Sequence, residues 1–326
     1  MEREIKGIVM NRLLCVDGSN IYYRAYHGLL HQHLNFEGHP TFAVFGTLNA
    51  IANAIKLHKP THVIIIFDHG KSKYRKDIYP DYKSSRKDAA DFIDFEDMNN
   101  QLQQSQKLLE ELGLIVWKEY GVEADDIAST IVKEFKDLVD EIILLTGDKD
   151  WCQLISRKVI VIKPSLGKKL EERWDLDRVI DHYGVAPDRL PEIWALSGDK
   201  ADNIPGVRGI GEKTAIKYIA KHGNISSVLL SDEPRVVGHE VDVHMSYKLV
   251  QLNPDLSEID YDLNDIVFRP VGPQDLGAHE VRSVLKQGGF DKLMNRWTTG
   301  TLWTDRGVRL KDFLGHSGEE DISRDK

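Results

Sequence analysis

Leu13-Leu14-Cys15-Val16-Asp17-Gly18 is a short apolar run that ends in an acid and a glycine. The pattern predicts a β-strand buried on both faces, with Asp17 at its carboxyl end. Similar runs follow at residues 63–67, 114–117, 142–145 and 159–162, and helical patterns occupy residues 42–57, 95–112 and 124–135. This alternation predicts an α/β fold with a mostly parallel central sheet that is flanked by helices.

Acidic residues follow four of these predicted strands. In chain order they are Asp17, Asp68, the group Glu123, Asp125 and Asp126, and the pair Asp148 and Asp150. Because parallel strands all end at the same edge of a sheet, we expect the seven side chains to meet in one crevice. Each acid alone is typical of a turn or a helix cap. Turn chemistry does not explain the same arrangement after four strands.

Seven carboxylates in one crevice would repel each other unless cations bound between them. A ligand set of oxygen atoms, without Cys or His, favours Mg²⁺ or Mn²⁺ over Zn²⁺. Two such ions, roughly 3.5–4 Å apart, would activate a water molecule and stabilise the leaving oxygen of a phosphodiester. The sequence therefore predicts a site for phosphoryl chemistry.

Residues 70–90 fit neither a strand nor a helix pattern and combine positive charge with three tyrosines. Between Lys71 and Asp88, seven Lys or Arg residues stand against three Asp residues, although the whole chain has a net charge of −9. A charge run of this kind is commonly a solvated face. A long irregular insertion in a compact domain, however, is usually functional or disordered. The acidic total disfavours a general nucleic-acid coat protein.

After about Trp174 the sequence changes to short helical patterns with Gly and Pro between them, which predicts a helical subdomain. Its glycine-rich turn at residues 205–211 leads into a helix whose amide groups could bind a phosphate. The turn is similar to a nucleotide-binding phosphate loop, but Glu212 stands before Lys213, so an ATP site is disfavoured. Just upstream, Asp199 and Asp202 are candidates for a second metal site.

The two cysteines and the hydrophobicity pattern indicate where the protein resides. Cys15 and Cys152 lie in apolar stretches without a paired spacing, so we expect buried free thiols in a reducing compartment. No apolar run approaches the roughly 20 residues that cross a bilayer, and the charged N-terminus does not fit a signal peptide. We therefore expect a cytoplasmic protein without a membrane partner.

Several of these motifs resemble the 5′ nuclease family, which comprises the 5′→3′ exonuclease domain of bacterial DNA polymerase I, phage 5′ nucleases and, more distantly, flap endonucleases. In family order the motifs are Val16-Asp17-Gly18-Ser19-Asn20, Phe67-Asp68, Tyr82-Lys83-Ser84-Ser85-Arg86, Gly121-Val122-Glu123-Ala124-Asp125-Asp126, Thr146-Gly147-Asp148-Lys149-Asp150 and Gly198-Asp199-Lys200-Ala201-Asp202-Asn203-Ile204-Pro205-Gly206-Val207. They cover about residues 12–225.

The resemblance implies a PIN-like nuclease core with a helical arch and a helix–three-turn–helix DNA-binding subdomain. The implied metal ligands are Asp17, Asp68, Glu123, Asp125, Asp126, Asp148, Asp150, Asp199 and Asp202. The implied catalytic residues are Lys83 and Arg86 at the scissile phosphate, together with the ligands Asp125 and Asp148. The implied DNA contacts are Arg24, Lys71, Lys73, Arg75, Tyr82, Lys83, Arg86, Gly206, Gly209, Gly211, Lys213, Thr214 and Lys217. Carbonyl groups of the glycine-rich loop would hold a K⁺ ion.

The expected organisation is a nuclease core at residues 1–175 with the arch at 70–92, then the helical subdomain at 176–260. A C-terminal segment at 261–316 would pack on the core, and residues 317–326 would form a disordered tail. We expect a free-standing, monomeric 5′ nuclease of a bacterial or phage-infected cell. It would use two divalent ions on DNA with a 5′ flap, a nick or a free 5′ end, in replication or repair beside replication proteins. The alternatives are a related metal-dependent RNA nuclease and a non-catalytic DNA-binding scaffold.

Overall fold

The computed structural model describes residues 10–32, 34–36, 39–84, 94–164 and 171–268. Its strands are β1 (Arg12–Asp17), β2 (Asn35–Phe36), β3 (His39–Pro40), β4 (His62–Ile66), β5 (Ile115–Trp117), β6 (Glu141–Leu145), β7 (Val159–Lys163) and β8 (Glu172–Trp174). Six of them form one sheet in the order β5-β4-β1-β6-β7-β8, and β2 pairs with β3 alone. All pairs in the large sheet are parallel except β7 with β8. This architecture confirms the predicted mostly parallel sheet.

The helices agree with the sequence patterns in most places. They are α1 (Gly18–Leu29), α2 (Phe42–His58), α3 (Lys73–Ile78), α4 (Phe95–Glu111), α5 (Ala124–Phe135), α6 (Leu176–Tyr183), α7 (Leu190–Ser197), α8 (Glu212–His222), α9 (Ile225–Leu229) and α10 (Glu240–Val250). Short 3-10 helices lie at Asp150–Leu154 and Pro187–Arg189. The sequence pattern also predicts a helix over residues 245–252, but α10 begins five residues earlier, at Glu240. The patterns did not predict α1, α3 and α9.

The sheet is buried on both faces, as the apolar strand pattern predicts. Leu13 and Cys15 of β1 face a core that contains α5 and helices of the second half of the chain. Leu14 and Val16, one position along, face a core formed with α1, α2 and α4. Burial of each large apolar side chain stabilises the fold by about 1.5–3 kcal/mol. Cys15 and Cys152 are buried free thiols, as expected.

The helices after β8 share one hydrophobic core with the sheet. Trp174, Trp194, Ala215 and Val243 belong to the same group of contacting buried side chains as Leu13. The chain then returns to β4, where the amide of Val63 donates to the Ile266 carbonyl over 3.0 Å and that of Phe268 donates to the Thr61 carbonyl over 2.9 Å. Residues 261–268 therefore lie on the core. The rest of the expected C-terminal segment and the expected tail fall outside the described residues.

The basic insertion is more regular than its sequence indicates. Residues 73–78 form α3, which begins where the Ser72 side chain accepts a hydrogen bond from the Arg75 amide. Two tight turns follow to residue 84, with the Tyr82 amide donating to the Tyr79 carbonyl. Residues 85–93 are outside the described part, so the arch remains a prediction. No helix in the described ranges is long and apolar enough to cross a membrane.

Candidate active site

The strand-end acids lie along the carboxyl edge of the sheet. Asp17 is the last residue of β1, and its neighbour β6 leads into Asp148. Two hydrogen bonds join the loops after these strands. The Thr146 hydroxyl donates to Asp17 Oδ2 over 2.7 Å, and the Gly147 amide donates to Asn20 Oδ1 over 2.9 Å. The chain continues from β1 to β4 on one side and later to β6 on the other. In open α/β sheets, a switch of this kind forms a crevice at the carboxyl edge.

The loop after β4 joins the same edge. The Asp68 amide donates to the Ser19 hydroxyl over 2.9 Å, so this loop is fastened to the start of α1. Asp68 Oδ1 accepts a hydrogen bond of 2.9 Å from the amide of Ala124, the first residue of α5. Asp68 therefore caps the helix that carries the next group of acids, and its own carboxylate is exposed.

Burial and, after it, mutual repulsion raise the pKa values of three acids at the centre of the crevice. Burial, followed by the charge of Asp68, raises the pKa of Asp17 to about 7. Burial, followed by the charge of Asp148, raises the pKa of Asp150 to about 8 and that of Asp125 well above its ordinary value. These shifts are typical of carboxylates that are crowded together without enough positive charge.

Glu123, by contrast, is neutralised by protein cations. Lys83 Nζ lies 2.7 Å from Glu123 Oε1, and Arg75 Nη1 lies 3.2 Å from Oε2. Burial acts to raise the pKa of Glu123, but the charges of Lys83 and Arg75 outweigh it and hold the pKa below its ordinary value. The single Tyr82 hydroxyl hydrogen is within donating distance of two acceptors, Glu123 Oε2 at 3.0 Å and Asp202 Oδ2 at 3.2 Å. Lys83 Nζ is also 3.7 Å from Asp202.

Asp199 forms an ion pair with Lys149, which lies in the loop after β6. Lys149 Nζ lies 2.8 Å from Asp199 Oδ2 and 5.2 Å from the centre of the Trp194 ring. Burial acts to raise the pKa of Asp199, but Lys149 lowers it below its ordinary value. Lys149 stands between Asp148 and Asp150, and the sequence gives no sign that it reaches a carboxylate fifty residues away. It was not among the predicted site residues.

Two residues in left-handed backbone conformation join the basic insertion to the loop that carries Asp199 and Asp202, called the acidic loop below. Lys83 has φ of 53° and Asn203 has φ of 57°. The Lys83 amide donates to the Asp202 carbonyl over 2.9 Å, and the Asn203 side chain donates to the Asp81 carbonyl over 2.8 Å. These contacts fix the base of the insertion beside Asp199 and Asp202.

Arg75 and Tyr82 do not face solvent, in contrast to the expectation that both contact DNA. Arg75 is 2% exposed and donates to Asp126 and to the Leu249 carbonyl at the end of α10. Tyr82 is 3% exposed and is directed towards Glu123. Neither side chain is available to a base or a phosphate in this conformation. Sequence alone does not reveal this, because the partners lie 41 or more residues away.

Asp126 is turned towards Arg75. Its two carboxylate oxygens accept hydrogen bonds of 2.5 and 3.1 Å from the guanidinium, and Oδ1 also accepts from the Asn253 amide over 2.9 Å. The residue is 0% exposed. Asp126 thus has a different environment from its neighbour Asp125, whose Oδ1 accepts a 2.6 Å bond from the Trp151 indole.

The other expected DNA contacts are distributed over two surfaces. Arg24 is half-buried and donates to the Pro164 carbonyl over 2.9 Å, with its guanidinium beside Gly147. Lys71 and Lys73 are exposed next to the crevice. On the helical part, Lys213 and Lys217 are exposed and Thr214 is half-buried. Arg86 lies outside the described residues.

The glycine-rich loop requires glycine where it touches α7. Gly206 has φ of 57°, and a Cβ atom there would lie 2.2 Å from the Gly198 amide nitrogen. Gly209 has φ of 84° with open space around it, whereas Gly211 has φ of −94°. The Gly209 carbonyl accepts a hydrogen bond of 3.1 Å from Arg235.

Within the described ranges, no group of three or more His, Cys, Asp or Glu side chains is arranged to hold a metal ion as it stands. The donors at the crevice are nevertheless carboxylate oxygens, which are the ligands that Mg²⁺ and Mn²⁺ prefer. Five of the acids form no ion pair within 4 Å with a Lys or Arg among the described residues, namely Asp17, Asp68, Asp125, Asp148 and Asp150. The chemistry of the donors and their excess negative charge fit divalent cations.

Comparisons with known proteins agree with this geometry. Residues 12–184 match the family model "5′-3′ exonuclease, N-terminal resolvase-like domain", and residues 185–274 match "5′-3′ exonuclease, C-terminal SAM fold". The chain is 32% identical over 306 residues to a 5′-3′ exonuclease of Aquifex aeolicus, covering 90% of this chain and 100% of that protein. It is 34% identical over 259 residues to the thermostable DNA polymerase I of Thermus filiformis, and this match covers 77% of this chain and 30% of the polymerase.

Solved structures show the same fold. The T5 5′-exonuclease with divalent metal ions (zinc) bound has a TM-score of 0.64 at 24% identity, covering 85% of this chain and 100% of that one. The catalytic core of Rad2 in complex with a DNA substrate has a TM-score of 0.56 at 18% identity, covering 86% and 87% of the two chains. The fold is therefore shared with these two proteins.

Proposed function

Since the chain belongs to the 5′-3′ exonuclease family and is a nuclease, we propose that it hydrolyses DNA phosphodiesters at a 5′ flap or a free 5′ end with two divalent cations. The observation that carries this proposal is the row of crowded strand-end carboxylates, which protein cations only partly neutralise. We assign the cations as Mg²⁺ or Mn²⁺ from the oxygen-only donors.

The proposed ligands fall into two groups. Those of the sheet edge are Asp17, Asp68, Glu123, Asp125, Asp148 and Asp150, and those of the acidic loop are Asp199 and Asp202. When bound, the cations would supply Lewis acidity to the attacking water and to the leaving oxygen. We assign Asp126 to the support of Arg75, because that guanidinium occupies both of its oxygens.

Lys83 is the proposed phosphate-binding cation of the site. Its ammonium lies 2.7 Å from Glu123 and 3.7 Å from Asp202, so it stands between the two proposed ligand groups. The hydrogen bond from the Lys83 backbone amide to the Asp202 carbonyl, together with the left-handed backbone of Lys83, fixes the position of this lysine. A lysine here can exchange a carboxylate for a non-bridging phosphate oxygen as cations bind the acids. Arg86 remains a proposed second phosphate contact.

The helical part is the proposed site for the duplex beside the cut. The glycine-rich loop brings the N-terminus of α8 to the surface, where its amide groups can bind a phosphate. Lys213 and Lys217 are exposed on α8 and add positive charge. We also propose a K⁺ ion on carbonyl groups of residues 206–211. Arg235 already donates to one of them, the Gly209 carbonyl.

The decisive experiment compares labelled 5′-flap, nicked, single-stranded and RNA-flap substrates with Mg²⁺, with Mn²⁺ and with EDTA. We expect cleavage of the flap near its junction with either metal and no cleavage with EDTA. Product lengths separate junction cutting from trimming at the end. Activity that survives EDTA, or cleavage confined to RNA, would overturn the proposal. We also propose that the protein acts in replication or repair, as a monomer beside replication proteins.

A further inference from the structure

An exposed aromatic ring stands at the rim of the crevice among positive charges. Tyr120 is 66% exposed, one of the most exposed large hydrophobic side chains among the described residues. The Lys73 ammonium lies 4.9 Å from the centre of its ring, and the His69 ring packs edge-on at 5.4 Å. Lys71 is exposed in the same loop. None of the functions discussed so far uses Tyr120.

The backbone holds this ring in place. The Gly121 amide donates to the His69 carbonyl over 2.8 Å, and the Lys73 amide donates to the Gly121 carbonyl over 3.0 Å. Two glycines with positive φ provide the space. A Cβ atom on Gly70 would lie 3.1 Å from the Tyr120 ring, and one on Gly121 would lie 2.8 Å from the aliphatic stem of Lys73. The ring and the lysine stem therefore lie directly against main chain.

The position of the ring relates it to the proposed catalytic acids. His69 directly follows Asp68, and Tyr120 precedes Glu123 by three residues. The two loops that carry Tyr120 and its neighbours are thus the same loops that deliver two proposed metal ligands to the crevice. A DNA strand whose phosphate reached these acids would therefore pass close to this rim.

We propose that Tyr120 stacks on an unpaired base of the DNA substrate next to the scissile phosphate, while Lys73 and Lys71 bind the adjoining backbone. This inference rests on the proposed function. Bases inside a duplex already stack on both faces, so a single exposed ring selects a base that has left the helix. The flanking ammonium groups favour a polyanion over an apolar protein segment.

The test measures binding of a 5′-flap DNA in EDTA, where no cutting occurs. Two versions of the flap are compared, one with bases and one with abasic sites at the three unpaired positions next to the junction. For the wild type we expect about tenfold weaker binding of the abasic flap, the loss that removal of one base–aromatic stack causes. Tyr120→Ala should bind both flaps equally, whereas Tyr120→Phe should retain the difference.

Leu57→Ala serves as the matched control, because Leu57 is similarly exposed but lies at the far end of α2. It should behave as the wild type. A Tyr120→Ala protein that still distinguishes the two flaps, or a wild type that does not, would overturn the stacking proposal. A wild type that distinguishes the flaps but does not cut them with Mg²⁺ would remove the proposed catalysis and leave the stacking site intact.

Discussion

Arg75 and Asp126 form a two-point ion pair in the interior of the protein, with N–O distances of 2.5 and 3.1 Å. The pair connects three parts of the chain. Arg75 belongs to the base of the basic insertion, Asp126 to the first turn of α5, and the carbonyl groups of Leu249 and Gln251 that also accept from Arg75 belong to the end of α10. Arg75 in turn contacts Glu123.

Asp126→Asn is expected to destabilise the metal-free protein by about 3 kcal/mol, because it removes the two-point counter-charge of the buried Arg75 guanidinium and leaves it, as counter-charge, only the single 3.2 Å contact with Glu123. Urea unfolding measures the change. Asp148→Asn is the matched comparison, because Asp148 has no ion pair in the described ranges and repels Asp125 and Asp150. It should leave the unfolding free energy unchanged or raise it. Equal destabilisation by both substitutions would contradict the different roles assigned to them.

Asp125→Ala and Asp148→Ala are each expected to reduce flap cleavage in Mg²⁺ by roughly three orders of magnitude, because the proposed cations lose a central ligand. Flap affinity in EDTA should stay within about twofold of the wild type. Single-turnover rates and fluorescence anisotropy measure the two effects. Asp137→Ala, an exposed acid beyond the end of α5, should change neither. Full activity in either crevice variant would refute the two-metal proposal.

Lys83→Ala is expected to slow single-turnover cleavage about 100-fold, because a positive charge at the reacting phosphate is lost. Its effect on flap binding should be no more than about threefold. Lys71→Ala should show the opposite pattern, with weaker binding and a nearly normal rate, because Lys71 is exposed outside the acidic crevice. If Lys83→Ala weakened binding as much as it slowed the reaction, simple charge attraction would explain that lysine.

Gly206→Ala is expected to lower the free energy of unfolding by about 2 kcal/mol or more. The added Cβ would meet the Gly198 backbone at 2.2 Å, and the residue has φ of 57°. Gly211→Ala, a few residues along the same loop, should be tolerated, because Gly211 has φ of −94° and open space at its Cβ position. Thermal unfolding of both variants measures the contrast. Equal loss in the two would mean that the close contact with Gly198 is unimportant.

His62 is expected to make the protein less stable in acid. Burial lowers the pKa of His62 below its ordinary value, so the unfolded chain takes up a proton at a pH where the folded chain does not. The contribution of neutral His62 to the free energy of unfolding is complete above its pKa in the unfolded chain, about 6.5. This contribution is lost as the pH falls towards the lower pKa of His62 in the folded protein. His62→Gln should therefore unfold with a smaller difference in free energy between pH 8 and pH 5. An unchanged difference would exclude His62 as a source.

The sheet and the placement of acids at its edge could be predicted from sequence, because both depend on local signals. An apolar run such as Leu13–Val16 predicts a buried strand, and an acid that follows it must lie at the carboxyl edge. The five parallel strands were all anticipated. Helix α1 was not, because no loop separates it from β1: Asp17 ends the strand and accepts a hydrogen bond from the Asn20 amide to begin the helix.

The environment of individual charged side chains could not be predicted in the same way. Arg75, Tyr82 and Lys149 each find partners that are distant along the chain, at Asp126, Glu123 and Asp199 respectively. A positive charge near an acidic crevice can serve DNA or neutralise the acids, and only the tertiary arrangement decides between these roles. Tyr120 was missed because a single tyrosine before a glycine carries no pattern.

The continuous core has a consequence for the history of the chain. The two family models divide the sequence between residues 184 and 185, yet the Tyr183 and Trp194 rings pack across that line with centres 6.3 Å apart. The line separates two family models and does not separate two hydrophobic cores. A recombination at this point would have to bring together side chains that already fit each other.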